Sequence, residues 1–261
     1  MSGFSADWLA LREPADARAR SSALIAQAAA RLAAQAAPLV CDLGSGTGAG
    51  MRAFAPAFPA DTRWCLTDND PDTLAIAARA DARVETRLTD LAADPAPWPE
   101  DCVLVTATAL FDLASPAWID RLADRLAADR LPLLACLTYD GRLGLSPAHP
   151  GDAALCAAFN RHQRHDKGLG GDAAGPGAVD ALCAALADRG YTVARADSPW
   201  RLAAGRDDAL IAELLRGWAG AMANADLVPS ATARDWLASR LARTDRLTVG
   251  HADIYAAPRE G

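Results

Sequence analysis

The residues that could do chemistry are concentrated in two short stretches. The first is Asp42-Leu43-Gly44-Ser45-Gly46-Thr47-Gly48, between an apolar run and a helical pattern. Alternating glycines let a backbone turn sharply and approach a ligand closely, with a helix N-terminus facing it. Read as G-x-G-x-x-A, residues 44–49 also satisfy a dinucleotide fingerprint. Asp42 weighs against that alternative, because a carboxylate at a strand tip repels a pyrophosphate and suits a ligand carrying an ammonium group. Two further acids follow apolar runs: Asp68 in Leu66-Thr67-Asp68-Asn69-Asp70-Pro71, and Asp90 in Leu88-Thr89-Asp90-Leu91. Each has a plainer role open to it. Asp68 and Asp70 can cap a helix starting at Pro71, and Asp90 can sit in a turn.

The second stretch is Phe159-Asn160-Arg161-His162-Gln163-Arg164-His165-Asp166-Lys167-Gly168, read as a loop. Within seven residues it holds two of the four histidines, two arginines and Lys167, the only lysine in the chain. Three readings compete for it. Imidazoles titrate near neutrality, so His162 and His165 can take a proton from an attacking hydroxyl or amine, while Arg161, Arg164 and Lys167 hold an acidic group. His162, His165 and Asp166 can instead start a metal site, but no further His or Cys cluster completes a four-ligand set, so no metal is expected. The third reading is an ordinary solvated loop. Glycines 168, 170, 171, 175 and 177 flank it, as hinges or as plain loop punctuation.

The elements that must position these residues alternate. Apolar strands are expected at 38–43, 62–67, 83–88, 101–107, 131–138, 191–196 and 246–256. Helices are expected at 5–12, 14–36, 48–57, 71–80, 116–128 and 177–189, with Ser5 as an N-cap, Pro14 in a first turn and Gly190 closing the last. Such alternation implies a parallel sheet covered by helices on both faces. The stretches 139–175 and 200–244 interrupt it, the second with amphipathic helices near 207–223 and 230–243. Alanine, 64 of 261 residues, blurs helix faces because it does not declare which side is buried. Six cysteines without a CxxC read as small buried hydrophobes of a reducing compartment.

Lys and Arg number 26 against 33 Asp and Glu, a net charge of −7. That balance repels phosphate backbones and anionic lipid, so neither a nucleic-acid nor a membrane partner is expected. No run reaches the length of a membrane span, and the first ten residues lack the basic and apolar regions of a secretory signal. A cytoplasmic location is the expectation.

With Asp42, the three glycines, Asp68 and Asp90 in this order, the chain resembles the class I S-adenosylmethionine-dependent methyltransferases, over about residues 37–138 and elsewhere by element order. The segments WLALREPAD, ALFDLAS and VGHAD are similar to one group of bacterial methyltransferase-like chains. The resemblance implies S-adenosylmethionine as cofactor, with Asp42, Gly44, Ser45, Gly46 and Gly48 around its methionine part. It implies Asp68 and Asn69 at the ribose, and Asp90, Leu91 and Ala107 toward the adenine. It also places an acceptor at the carboxyl ends of the fourth and fifth strands. No Asn-Pro-Pro-Tyr or Asp-Pro-Pro-Tyr motif follows strand four, which disfavours methylation of a nucleobase.

The expected fold is therefore a Rossmann-like α/β domain of seven strands, mostly parallel with the last antiparallel. An N-terminal helical segment (1–36) precedes a methyltransferase domain (37–261), with inserts at 139–175 and 200–244 capping the acceptor. The expected activity is methyl transfer to O or N of a small polar acceptor, anionic in one version of the reading. His162 or His165 would be the base, and Phe111, Tyr139, Asn160, Arg164 and Lys167 would bind the acceptor. Phe111 has core packing as its plainer role, Asp112 a helix cap and His251 a core position; Trp8, Arg12, Asp16, Trp200 and Arg201 are set near the pocket or on the surface. A non-catalytic S-adenosylmethionine-binding protein and an NAD(P)-dependent oxidoreductase stand as alternatives.

Overall fold

The protein is described here from a computed structural model covering residues 5–224 and 227–259. Five strands, β1 (Leu39–Leu43), β2 (Arg63–Asp68), β3 (Val84–Leu88), β4 (Cys102–Thr108) and β5 (Leu133–Ser146), pair in parallel in the order β3-β2-β1-β4-β5. β1 is buried at every residue, as a central strand covered on both faces must be. β8 (Arg246–Pro258) pairs antiparallel with β5 and with β6 (Tyr191–Asp197). The expected seven strands are present, and β7 (Trp200–Ala203) adds a short eighth on β8. Among the described residues no helix is long and apolar enough to cross a membrane.

Helices α3 (Ala49–Phe54), α4 (Pro71–Ala77), α5 (Pro116–Ala128) and α7 (Ala178–Asp188) link the strands. Their starts follow local chemistry: Ser115 accepts the Trp118 N–H at 3.1 Å, and Asp70 accepts those of Asp72 and Thr73. Gly190 closes α7 at φ +81°.

Three expectations are corrected. The N-terminal region does not break at Pro14. α1 runs Ala6–Ala19 straight through it, because Pro14 and Ala10, whose carbonyl it leaves unpaired, both face solvent. The break falls at Arg20-Ser21, where the Ser21 N–H donates to Asp253 Oδ2 at 2.7 Å and its hydroxyl caps α2 (Ser22–Leu32). β5 continues beyond residue 138 to Ser146, since β8 keeps pairing with it past an irregularity at Leu137. There Asp253 Oδ1 takes the Leu137 N–H at 2.8 Å. Finally, Phe159–His162 are not loop but the last turn of α6 (Asp152–His162).

The long β5–β8 pair and β7 form an arm on which α6, α8 (Asp208–Asn224) and α9 (Ser230–Ala242) pack around Trp200, Leu215, Trp218 and Trp236. Arg240, only 2% exposed, ties the arm together: it donates to Asp152 on α6 and, at 2.8 Å, to the Pro147 carbonyl, while Trp236 Nε1 shares Asp152 at 3.0 Å. Removing one partner of a buried pair leaves the other charge uncompensated. Arg240→Ala is therefore expected to cost about 3 kcal/mol in urea denaturation. A loss below about 1 kcal/mol, the size of a surface pair, would show that the arm does not hang on this contact.

Candidate active site

The parallel strands end along one edge of the sheet, and the acids singled out by sequence collect there. β1 register places Asp42 beside Leu66 and Thr106; β2 ends at Asp68, and Asp90 lies two residues past β3. Between them opens a cleft of about 300 Å³. Asp42, Gly44, Ser45, Gly46, Asp68, Asn69, Asp90, Leu91 and Lys167 line it. Gly48 and Ala107 do not. Gly48 starts α3 behind the loop, and Ala107 is buried in β4 with its neighbours Thr108 and Ala109 reaching the cleft instead.

The glycine loop is held by its own backbone. The Ser45 N–H donates to the Thr67 carbonyl at 2.9 Å and the Gly46 N–H to Asp68 Oδ2 at 2.8 Å. Gly44 and Gly46 have φ of +62° and +52°, which only glycine adopts without strain. Gly50 matters differently: a Cβ there would stand 2.8 Å from Asp42 Oδ2, so only glycine lets the helix pass over that carboxylate. Asp68 also accepts the Asp70 N–H on Oδ1 at 3.0 Å, while Asp70 supplies the helix cap. Asp90 both lines the cleft and accepts the Ala92 N–H in its turn.

Asp42 is 1% exposed. Burial pushes its carboxyl up to about 6, opposed by the Thr106 hydroxyl at 2.7 Å and by the Arg20 charge, with Asp68 adding to the rise. A second polar group sits where α1 crosses the cleft. Arg12 makes a two-point pair with Asp16 at 3.0 and 3.2 Å, Asp16 also accepts Trp200 Nε1 at 2.9 Å, and the Arg12 guanidinium lies 4.9 Å from the Trp200 ring centre. Arg12 and Asp16 line the cleft; Arg201, beside Trp200, is exposed, so the cation at that aromatic is Arg12. Trp8 packs against the arm's apolar cluster with its indole N–H buried and unpartnered.

The structure divides the other expected residues. Lys167 reaches the cleft, its ammonium donating to the His162 carbonyl at 3.1 Å. The His162 ring is half-buried, 3.4 Å from Lys167 at Nδ1, and burial followed by the Lys167 charge lowers its pKa. His165 and Arg164 are exposed and do not line the cleft. Tyr139 is buried and donates to Asn160 Oδ1 at 2.6 Å, and Asn160 donates to the Gly141 carbonyl, which ties β5 to α6 behind the cleft. Phe111 is core, edge-on to Trp118. Asp112 is no cap, since Ser115 performs that task; it lies buried with Oδ1 unpartnered, and burial raises its pKa. His251 is buried between Tyr139 and Trp200 with Nδ1 unpartnered, and burial pulls it down to about 3.

Sequence reasoning missed Leu9, Thr108 and Leu113 in the cleft wall. Leu9 arrives from α1, packing at Gly46, on the same helix whose Trp8, Arg12 and Asp16 the sequence reading set near the pocket. Thr108 was legible as the last residue of β4. Its buried hydroxyl and that of Ser45 have no hydrogen-bond partner, and both residues line the cleft, as donors and acceptors for a polar ligand would. Among the described residues no group of three His, Cys, Asp or Glu side chains converges as a metal site.

No protein-family model matches the chain, and no curated protein does. Solved structures do. A cyclopropane synthase of Mycobacterium tuberculosis, MmaA2, superposes over 97% of this chain and 94% of its own, at a TM-score of 0.54 and 14% identity. The YcgJ protein of Bacillus subtilis gives 0.53 at 12% identity over 92% and 100%. An S-adenosylmethionine-dependent methyltransferase of Geobacter sulfurreducens, solved with S-adenosyl-L-homocysteine, gives 0.51 at 17% over 99% and 100%. At these identities the likeness is one of fold.

Because the folded carboxyl of Asp42 titrates near 6 and an unfolded one near 4, the unfolded chain binds fewer protons between those values. Stability from this group therefore falls as pH rises from 4 to 6. Asp42→Asn removes the titration. Its stability relative to the parent protein is expected to climb by about 3 kcal/mol between pH 4 and 7 in urea denaturation, two units at 1.36 kcal/mol each. A flat difference would mean that Asp42 is ionised throughout.

Proposed function

We propose that this chain, which carries the fold of the S-adenosylmethionine-dependent methyltransferases, is itself such an enzyme and acts on O or N of a small polar acceptor. The observation that carries the reading is the buried carboxylate of Asp42 facing a cleft with two unpartnered hydroxyls, beside a carboxylate, Asp68, that holds the glycine loop. That donor set suits a ligand with an ammonium group and a vicinal diol and repels a pyrophosphate. Bound there, S-adenosylmethionine supplies an electrophilic methyl group on a sulfonium.

Everything else falls to side chains of the chain. Asp42 meets the ammonium, with Gly44, Ser45 and Gly46 lying against the methionine part. Asp68, its two oxygens each already fixed by one backbone N–H, keeps lone pairs for the ribose, and Asn69 sits beside it. Asp90 and Leu91 border the adenine end. α1 closes over the cleft with Leu9, Arg12 and Asp16, excluding water from the transfer. The acceptor enters from the side of Lys167, and the inserts at 139–175 and 200–244 cap that side. Lys167 and Arg12 are the cations of the cleft wall, so an acidic group on the acceptor is held there. Tyr139 and Asn160 brace this wall from behind, and the exposed Arg164 is a further cation of the same segment.

Alignment of the acceptor with the methyl group does most of the work, since effective molarities account for about 7–11 kcal/mol of a barrier. A base adds about 10²–10⁴-fold. Of the two histidines, His162 has the better position. Its depressed pKa leaves the imidazole neutral at pH 7, and Lys167 links it to the cleft.

Thermal unfolding with S-adenosyl-L-homocysteine, S-adenosylmethionine and NAD⁺ tests the cofactor. At a hundredfold excess over Kd, binding stabilises by about 2.7 kcal/mol, a rise of roughly 5 °C in a domain of this size. The rise is expected with the two sulfur ligands, to be lost in Asp68→Ala and absent with NAD⁺. A rise with NAD⁺ alone would turn the reading to an oxidoreductase. Once an acceptor is in hand, His162→Ala should cut kcat by about 10²-fold or more, and Lys167→Met should act mainly on KM. If His162→Ala and His165→Ala both stay within about threefold of the parent, neither is the base.

A further inference from the structure

Five acidic residues line the cleft, Asp16, Asp42, Asp68, Asp70 and Asp90, against two cationic ones, Lys167 and Arg12. A ligand that brings a carboxylate of its own is repelled by most of this wall and must land on one of the two cations. Lys167 already donates to the His162 carbonyl at 3.1 Å and stands 3.4 Å from Nδ1 of its ring. Arg12 is built differently. Its Nε–H and one Nη2–H donate to the two oxygens of Asp16 at 3.0 and 3.2 Å, so one edge of the guanidinium is filled. A guanidinium carries five N–H groups in a planar fork, and an edge of two parallel N–H groups matches the two oxygens of a carboxylate. The second such edge of Arg12, Nη1 with the other Nη2–H, meets no acceptor among the described residues.

The orientation of that edge is fixed from two sides. Asp16 is buried and fully engaged: Oδ2 accepts Arg12 Nε, and Oδ1 accepts both Arg12 Nη2 and the Trp200 indole N–H, the latter at 2.9 Å. The Trp200 ring in turn lies 4.9 Å from the guanidinium, a cation–π contact that sets the plane of the fork. Trp200 is itself held in β7, opposite Val249 of β8, and packs against the His251 ring at 5.2 Å. Of the pair, the arginine side chain is 12% exposed and the aspartate 4%, so the cation is the more open to a ligand.

We propose that the second edge of Arg12 is a receptor for a carboxylate of a ligand bound in the cleft, and that Asp16 and Trp200 are its positioning residues. Two ligands can bring that group. One is the cofactor of the reading above, at the amino-acid end whose ammonium Asp42 meets; the other is the acceptor. The first source rests on that cofactor reading, the second only on the cleft taking a small acid. A fork oriented in advance loses little side-chain freedom when it binds, which favours a planar two-oxygen group over a single charge. Asp16 and Trp200 lie 184 residues apart, so the receptor is complete only where α1 meets the arm.

The experiment uses the full chain with Arg12→Met, Arg12→Lys and Asp16→Asn at neutral pH. Calorimetry compares S-adenosyl-L-homocysteine with 5′-methylthioadenosine, a thioether nucleoside that lacks the amino-acid group. Thermal unfolding of protein saturated with S-adenosyl-L-homocysteine, at constant ionic strength, then compares benzoate with benzamide. If the cofactor brings the carboxylate, Arg12→Met should weaken S-adenosyl-L-homocysteine about tenfold or more and leave 5′-methylthioadenosine within about threefold. If the acceptor brings it, both nucleosides should bind as before and the extra stabilisation by benzoate should vanish. In either arm Arg12→Lys should restore the carboxylate preference only in part, since an ammonium keeps the charge without the fork. Asp16→Asn removes a negative charge beside the receptor, which by charge alone would strengthen carboxylate binding. As the loss of a positioning residue it should weaken that binding instead, by about threefold.

An equal loss of both nucleosides in Arg12→Met marks a role in the shape of the cleft and overturns the proposal. Carboxylate preferences in both arms that do not change when Arg12 is replaced overturn it too, as does a parent protein that shows none. Stronger carboxylate binding in Asp16→Asn overturns the positioning role. If the parent protein binds neither nucleoside, the cofactor reading fails, and the benzoate comparison on the unliganded protein decides the receptor by itself. If Arg12→Met does not fold, Arg12→Lys, which keeps a cation opposite Asp16, is read in its place: a carboxylate preference equal to that of the parent then overturns the fork.

Discussion

A carboxylate buried at the end of the central strand is the constraint around which the cleft is built. Asp42 is almost wholly withdrawn from water, and the Thr106 hydroxyl and the Arg20 charge oppose the rise that burial imposes on its pKa. Its demands reach into the backbone. Gly50 must lack a side chain to pass over it, and Thr67, on the neighbouring strand, donates its hydroxyl to the Asp42 carbonyl at 3.1 Å. The same loop is fastened from the other side by Asp68, which takes the Gly46 N–H. Two carboxylates of adjacent strands thus shape one loop and line the same cleft.

A second buried carboxylate, Asp253, does for the N-terminal helices what Asp42 does for the loop. It lies on β8 and is fully buried, yet both oxygens are satisfied by backbone donors from distant segments, Leu137 on β5 and Ser21 at the α1–α2 break. Backbone N–H donors to an ionised acceptor are among the stronger hydrogen bonds a protein makes. The consequence is geometric. The irregularity in β5 lets the strand run on to Ser146 and form the arm, and the break after Arg20 sends α1 across the mouth of the cleft. Leu9, Arg12 and Asp16 reach the site by that route, and Arg12 meets Trp200 from the arm there. That side of the cleft is therefore made of segments far apart in the sequence.

Sequence legibility follows from this division. The strand–glycine–helix segment at 38–54, the acids at 68 and 90 and the order of strands were readable because local patterning dictates them. An apolar run of five to seven residues bounded by glycine or by Asp-Pro has few other conformations open to it. Helix α6 was not, because Ala153, Ala154, Ala157 and Ala158 leave its buried face undeclared and the polar run from Arg161 onward dominates the reading. Pro14 misled for the opposite reason: it is a strong local signal, but the carbonyl it orphans lies in water, so tertiary placement removes most of the penalty. The positions of Tyr139, Asn160 and Phe111 depend on which face of β5, of α6 and of the turn after β4 each occupies, and that is set by packing in the assembled fold.

By itself, then, the sequence determined the sheet, the glycine loop and the line of acids along its carboxyl edge, since each depends on residues within a few positions of one another. The tertiary structure alone decided which charges stand beside those acids. Arg12 meets Trp200 and Lys167 reaches the cleft across separations that no local pattern encodes. The physical reason is desolvation. Whether a charged group is costly, neutral or useful depends on what is buried with it, and burial is a property of the assembled fold.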